Sequence, residues 1–108
     1  MARDGRGAEV NPLPLVRVVG PSMAPTLRGG DVVLVRYGGE PRVGGLVLVR
    51  WAARPAQLSI KRAVREVPGG WHVEGDNPFA STDSRELGAA EVVATVRFRL
   101  WPRPRLLR

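Results

Sequence analysis

Glycine and proline punctuate this chain so often that no long helix fits between the breaks. There are 13 Gly and 10 Pro among 108 residues. Proline removes a backbone donor and fixes φ, so it sits at turns, edges or strand ends. What survives between the breaks is a set of short apolar, β-branched runs. They are Leu15 to Val19, Asp31 to Tyr37, Leu46 to Trp51, Gln57 to Val67, Trp71 to Glu74 and Glu91 to Trp101. Gly29-Gly30, Gly38-Gly39, Gly44-Gly45 and Pro68-Gly69-Gly70 mark the turns between them. The pattern predicts about six short strands and no convincing amphipathic helix, hence an all-β chain. Its expected form is a small single-domain, barrel-like folded sheet. Residues 1–14 read as a flexible lead-in, residues 15–101 as the folded domain, and residues 102–108 as a basic Pro/Arg tail. Pro102 and Pro104 are expected to end the order. Two polar loops, 20–27 and 75–88, are the expected functional edges.

Composition narrows the chemistry. There is no Cys, so thiol nucleophiles, disulfide frameworks and Cys-based zinc sites are excluded. A single His, His72, cannot build a multi-histidine metal site. Neither a metal nor a cofactor is expected. No stretch approaches the ~18 apolar residues that cross a bilayer. The first ten residues lack the apolar block of a signal peptide. Both points lead to the expectation of a soluble, cytoplasmic protein. Any catalysis must use hydroxyls, carboxylates, amines or the backbone.

The net charge is +7, and it is unevenly placed. Arg97, Arg99, Arg103, Arg105 and Arg108 fall in the last 12 residues, which hold no acid. Such a strip reads first as a solvated tail, and it also allows weak peripheral contact with anionic lipid. A basic β-barrel that binds nucleic acid is the non-enzyme alternative. Its sole support is the charge, and the chain lacks the spread of aromatic platforms that such binding uses. No nucleic-acid partner is therefore expected.

Of the 17 basic residues, 16 are Arg, and the one Lys is Lys61. Ala, Gly, Pro, Val and Arg all run high, as GC-rich codons favour. Under that drift Lys yields to Arg wherever only charge is needed. A surviving Lys marks a place where a neutral amine is needed, because Arg stays protonated. By itself that is only a pointer, since one Lys can also persist by chance.

Two loops supply partners. Ser22 lies in Gly20-Pro21-Ser22-Met23-Ala24-Pro25-Thr26-Leu27, where two prolines stiffen the backbone around a hydroxyl. Alone it reads as a turn serine, and as a nucleophile it also needs nearby N–H groups for an oxyanion. Lys61 lies on a strand, with Ile60 and Arg62 directed to the opposite face. Facing inward, its charged form would be disfavoured. In the loop Gly75 to Gly88, Asp83 and Arg85 are placed to pair and to brace Ser81.

These segments together resemble the signal peptidase I superfamily, the serine–lysine endopeptidases. Ser22-Met23 with Pro25-Thr26-Leu27 resembles the nucleophile box, and Gly30-Asp31 with Val33-Leu34-Val35 the strand box after it. Ile60-Lys61-Arg62 resembles the general-base box. Gly75-Asp76-Asn77 with Ser81, Asp83, Ser84 and Arg85 resembles the last box. The four occur in the family's order between about Val18 and Gly88. The resemblance implies the fold of that family's catalytic core, with Ser22 as nucleophile and Lys61 as unprotonated general base. It also implies that Ser81 orients the lysine, with Asp83 and Arg85 as the braced pair beneath. The Ser22 backbone N–H would form half of the oxyanion hole. In some members a serine two residues before the nucleophile supplies the other half, and here that position is Gly20. Pro21 and Met23 are expected to touch substrate.

The chain departs from most members in showing neither a membrane anchor nor a large second β-domain. In this it looks most like the small anchorless peptidases that mature nickel superoxide dismutase. That likeness implies a precursor protein with an N-terminal leader as substrate and partner, and nickel ligands that belong to the substrate. A peripheral signal peptidase acting on exported preproteins is the enzymatic alternative. A self-cleaving repressor shares the Ser–Lys logic but needs a DNA-binding helical domain, for which residues 1–14 are too few. A Ser–His pair would need His72, which follows Trp71 in a strand and reads as a packed or surface histidine.

Overall fold

The computed structural model describes residues 14–107. The proposed lead-in therefore lies outside the described residues, except for Pro14, whose carbonyl accepts from the Val35 N–H at 2.8 Å. Seven strands and one helical turn follow in order: β1 (Leu15–Arg17), β2 (Val32–Tyr37), β3 (Leu46–Trp51), β4 (Arg54–Val67), β5 (Gly70–Glu74), α1 (Ser84–Leu87), β6 (Glu91–Trp101) and β7 (Arg105–Leu106). They form one sheet ordered β1-β2-β6-β3-β4-β5, with β7 paired to β6. Every pairing is antiparallel. The all-β expectation stands.

Alternation along the strands divides the apolar residues between two clusters. The first lies on the inner surface of the sheet. It joins Val33 and Val35 of β2, Leu46 and Leu48 of β3, Ile60 of β4, and Ala94 and Val96 of β6. Met23 and Leu27, from the loop between β1 and β2, close it. The second lies on the other surface, over β3 to β5: Val47, Val49, Trp51, Ala63, Val73 and Ala90, with Leu87 packed against it. The 75–88 loop and α1 cover this second cluster.

The tail is the main correction. Pro102 and Pro104 do not end the order, because the chain turns back and pairs as β7, matching Phe98 with Leu106 and Arg99 with Arg105. Leu107 then enters the first core, at 8 % exposure. Burial of Leu107, together with the β6–β7 backbone pairing, supplies what the prolines remove. Arg99 is no tail charge either: it reaches the buried Asp31 carboxylate at 3.5 Å.

Candidate active site

The loop that carries Ser22 enters between two hydrogen-bonded ends. The Val18 N–H donates to the Asp31 carbonyl at 2.8 Å, and the Gly30 N–H returns to the Val18 carbonyl at 2.8 Å. Between them, Leu27 N–H to Met23 O at 2.9 Å and Ala24 N–H to Pro21 O at 3.1 Å wind the segment into tight turns. Met23 anchors the loop from below at 1 % exposure, and its sulfur accepts from the Asp76 N–H at 3.4 Å. Expected chiefly as a substrate contact, Met23 is first a core residue that also reaches the cleft lining. Pro21 stands at the cleft's exposed lip.

Lys61 sits opposite Val47 in the β3–β4 ladder, so it points to the surface that carries the second cluster. There the 75–88 loop closes over it and leaves 3 % of it exposed. Its Nζ meets the Ser81 Oγ at 3.2 Å. Burial pulls the lysine below its ordinary pKa, the nearby Asp83 carboxylate works against that shift, and Arg85 adds to it. Ser81 Oγ in turn donates to Asp83 Oδ2 at 2.8 Å. Arg85 grips both oxygens of that carboxylate, at 3.0 and 2.8 Å, and the Gly75 N–H donates to it at 2.9 Å. Although burial works to raise the Asp83 pKa, these donors hold it far below the usual carboxylate range. Asp83 also caps α1, accepting from the Arg85 N–H. The chain Lys61–Ser81–Asp83–Arg85 thus joins four of the side chains that the sequence singled out, while Ser22 stands outside it.

Gly75 brings the two sides together. A Cβ there would collide with the Ser81 side chain and would lie 2.7 Å from the Ser22 carbonyl. The backbone of Ser22 and the hydroxyl that holds Lys61 therefore converge on one glycine. A cleft of about 540 Å³ opens beside them, lined by both Ser22 and Lys61, with Trp51, Ile60 and Thr82 among its walls. This places a hydroxyl, a buried amine and apolar walls together, the parts that serine acylation needs. Gly20 has φ of 81°, a conformation that favours glycine, and it provides no hydroxyl to the site. His72 is absent from the cleft lining and pairs with Glu74 at 2.8 Å.

Four supporting residues escaped the sequence reading as a group. Asp76 binds Thr26 Oγ1 at 2.6 Å and the Arg62 guanidinium at 2.5 Å, tying the Ser22 loop to β4 beside Lys61. Burial works to raise the Asp76 pKa, but the hydrogen bonds from Arg62 and Thr26 hold it below its ordinary value. Asn77 donates its N–H to the Ser22 carbonyl at 2.9 Å and its side-chain amide to the Pro21 carbonyl at 3.1 Å. The signal was available in Gly75-Asp76-Asn77, a short polar run next to a strand end. What it lacked was the partner, which lies 50 residues away for Thr26.

Residues 8–97 match the Peptidase S24-like family. The chain is 33 % identical to the mitochondrial ATP-independent inner membrane protease subunit 1a of Arabidopsis thaliana, over 79 % of this chain and 68 % of that protein. No solved structure matches. The match spans most of the described residues, including both sides of the cleft, and the chain belongs to the Peptidase S24-like family of peptidases.

Proposed function

We propose that this protein is a serine endopeptidase with a Ser22–Lys61 dyad that removes an N-terminal leader from a precursor, maturing nickel superoxide dismutase in the cytoplasm. The observation that carries the dyad is the lone lysine, buried and held by Ser81, in a cleft that Ser22 also lines. In this reading the neutral Lys61 amine takes the Ser22 proton as Oγ attacks the scissile carbonyl. The Ser22 N–H stabilises the oxyanion. Lys61 then passes the proton to the leaving amine. A water molecule, deprotonated by Lys61, hydrolyses the acyl ester and restores Ser22. Ser81 orients the amine, and Asp83 with Arg85 fixes Ser81. Pro21 and Met23 shape the wall against which the substrate backbone lies.

The assigning experiment incubates purified protein with nickel superoxide dismutase precursor and sequences the new N-terminus. One cut between leader and mature protein is expected, absent with a folded Ser22→Ala variant. Retained cleavage by Ser22→Ala would remove the serine mechanism. A second reading, cleavage of exported preproteins at a membrane surface, draws support from the relative named as an inner membrane protease subunit. Cutting of an exported preprotein with the dismutase precursor left intact would select it.

A further inference from the structure

The sheet surface that carries the second core cluster is covered over β3 to β5 and over the half of β6 that holds Val92 and Thr95. Among the described residues it is more open over β1, β2, the Phe98 to Trp101 end of β6 and β7, where Leu15 and Phe98 are half-buried. The register lines up Leu15, Leu34, Phe98 and Leu106 in one row across those four strands. Their common direction follows from their neighbours: Val16, Val33 and Leu107 all pack into the first cluster on the inner surface. Phe98 joins the row because β6 carries an extra residue, Arg97, where β2 steps from Leu34 to Val35. Leu34 is 40 % exposed and Leu106 63 %. The next row reads Arg17, Val32 and Trp101, with Trp101 60 % exposed. Arg36 flanks the leucine row on its other side. Residues 14–19, 32–37 and 92–107 contain no Asp or Glu.

This is an apolar stripe between arginines, and it adjoins the cleft. Arg17 belongs to both, and β1 leads directly into the nucleophile loop. We infer that the face docks the folded body of the precursor, and that the body presents an apolar patch bordered by carboxylates. The inference rests on the leader-peptidase reading. A second copy of this chain would set arginine against arginine. A folded substrate has to lie beside the cleft when its leader is cut, and exposed Trp and Arg are the anchors such interfaces favour. Like charge on the face would speed encounter with an acidic partner and make it salt-dependent.

The test compares the dismutase precursor with a short peptide spanning the same cut. Wild type should show a KM for the precursor at least tenfold below that for the peptide, with the gap closing at high salt. Leu106→Glu and Arg36→Glu should each raise the precursor KM by about five- to tenfold, the loss of a contributing interface residue short of a dominant anchor. Both should leave kcat, and the peptide's kcat/KM, unchanged. Peptide cleavage that Ser22→Ala abolishes keeps the catalytic reading standing whatever the docking result. Equal KM values for precursor and peptide in wild type would overturn the docking face. So would variants that affect both substrates alike. Binding to phosphatidylglycerol vesicles that both variants abolish, with precursor kinetics untouched, would assign the face to a bilayer instead and overturn the inference.

Discussion

The two walls of the cleft are held by different forces. Lys61 is placed by side-chain charge and hydrogen bonding, through Ser81, Asp83 and Arg85, within a buried pocket. Ser22 is placed by backbone: turn hydrogen bonds within its loop, two prolines beside it, and Asn77 gripping the carbonyls of Ser22 and Pro21. In the proposed mechanism the base needs a tuned proton affinity, and only an electrostatic setting supplies that. The proposed nucleophile needs position, which a stiff loop supplies. Variants on the lysine wall should therefore change pH dependence, and variants on the serine wall should change rate without moving the profile.

The largest expected effect is Lys61→Arg. It fixes a permanent positive charge where a neutral amine is needed and cannot accept a proton, so activity should fall at least ~10³-fold, as loss of a general base does. Substantial residual cleavage would show that the wall supplies charge, erasing the contrast. Lys61→Met separates folding from catalysis. The native lysine has a lowered pKa, so the unfolded chain binds more protons between the native pKa and ~10.4. Wild-type stability should thus rise with pH across that window, and Met should remove the rise. Thermal unfolding of both proteins across that pH range measures it.

Gly75→Ala should come next, because it pushes on both walls at once. Cleavage should fall more than ~100-fold while the far end of the sheet keeps its fold, read by peptide kinetics beside amide exchange. Full activity would mean that the two walls are not coupled at this glycine.

Asp83→Asn sharpens the lysine side. Arg85 is about half exposed while Asp83 is 1 % exposed. The loss should exceed the ~0–1 kcal/mol of a surface pair and fall short of the ~3–5 kcal/mol of a fully buried one. Removing the carboxylate also removes the charge that favours protonated Lys61. The activity profile should therefore shift to lower pH even as its height drops. Because the native Asp83 pKa is depressed, its contribution is present above pH ~4 and is lost as pH falls through the native value. Acid unfolding of wild type and variant should converge there.

The smallest expected effect lies on the serine side. Asn77→Ala keeps the backbone bond to Ser22 and removes two exposed side-chain hydrogen bonds, to the Pro21 carbonyl and from the Phe79 N–H, each worth about 1 kcal/mol or less. It should lower kcat roughly five- to tenfold with no movement of the pH profile. A shifted profile would show that the serine wall tunes the base as well.

Local chemistry made much of this legible in the sequence. Glycine turns and β-branched runs marked six strands, and the lone lysine and the Ser-Met and Ser-x-Asp-x-Arg segments marked the site. The strand β7 was hidden because Pro102 and Pro104 argue against order locally, while the gain comes from Leu107 reaching a distant core. The Thr26–Asp76–Arg62 tie was hidden for the same reason: each residue is an ordinary polar side chain until the fold brings the three together. Burial of Met23 likewise depends on Leu48 and Ile60, which arrive from other strands.

The central claim is that Lys61 is a neutral amine where the chemistry occurs. Because it is the one lysine in the chain, labelling lysine side chains with ¹³C and ¹⁵N gives a single amine signal to titrate by NMR. The account predicts an apparent pKa clearly below the ~10.4 of a free lysine, matching the rise of kcat/KM with pH. Titration at or above ~10.4, with full activity at neutral pH, would contradict it.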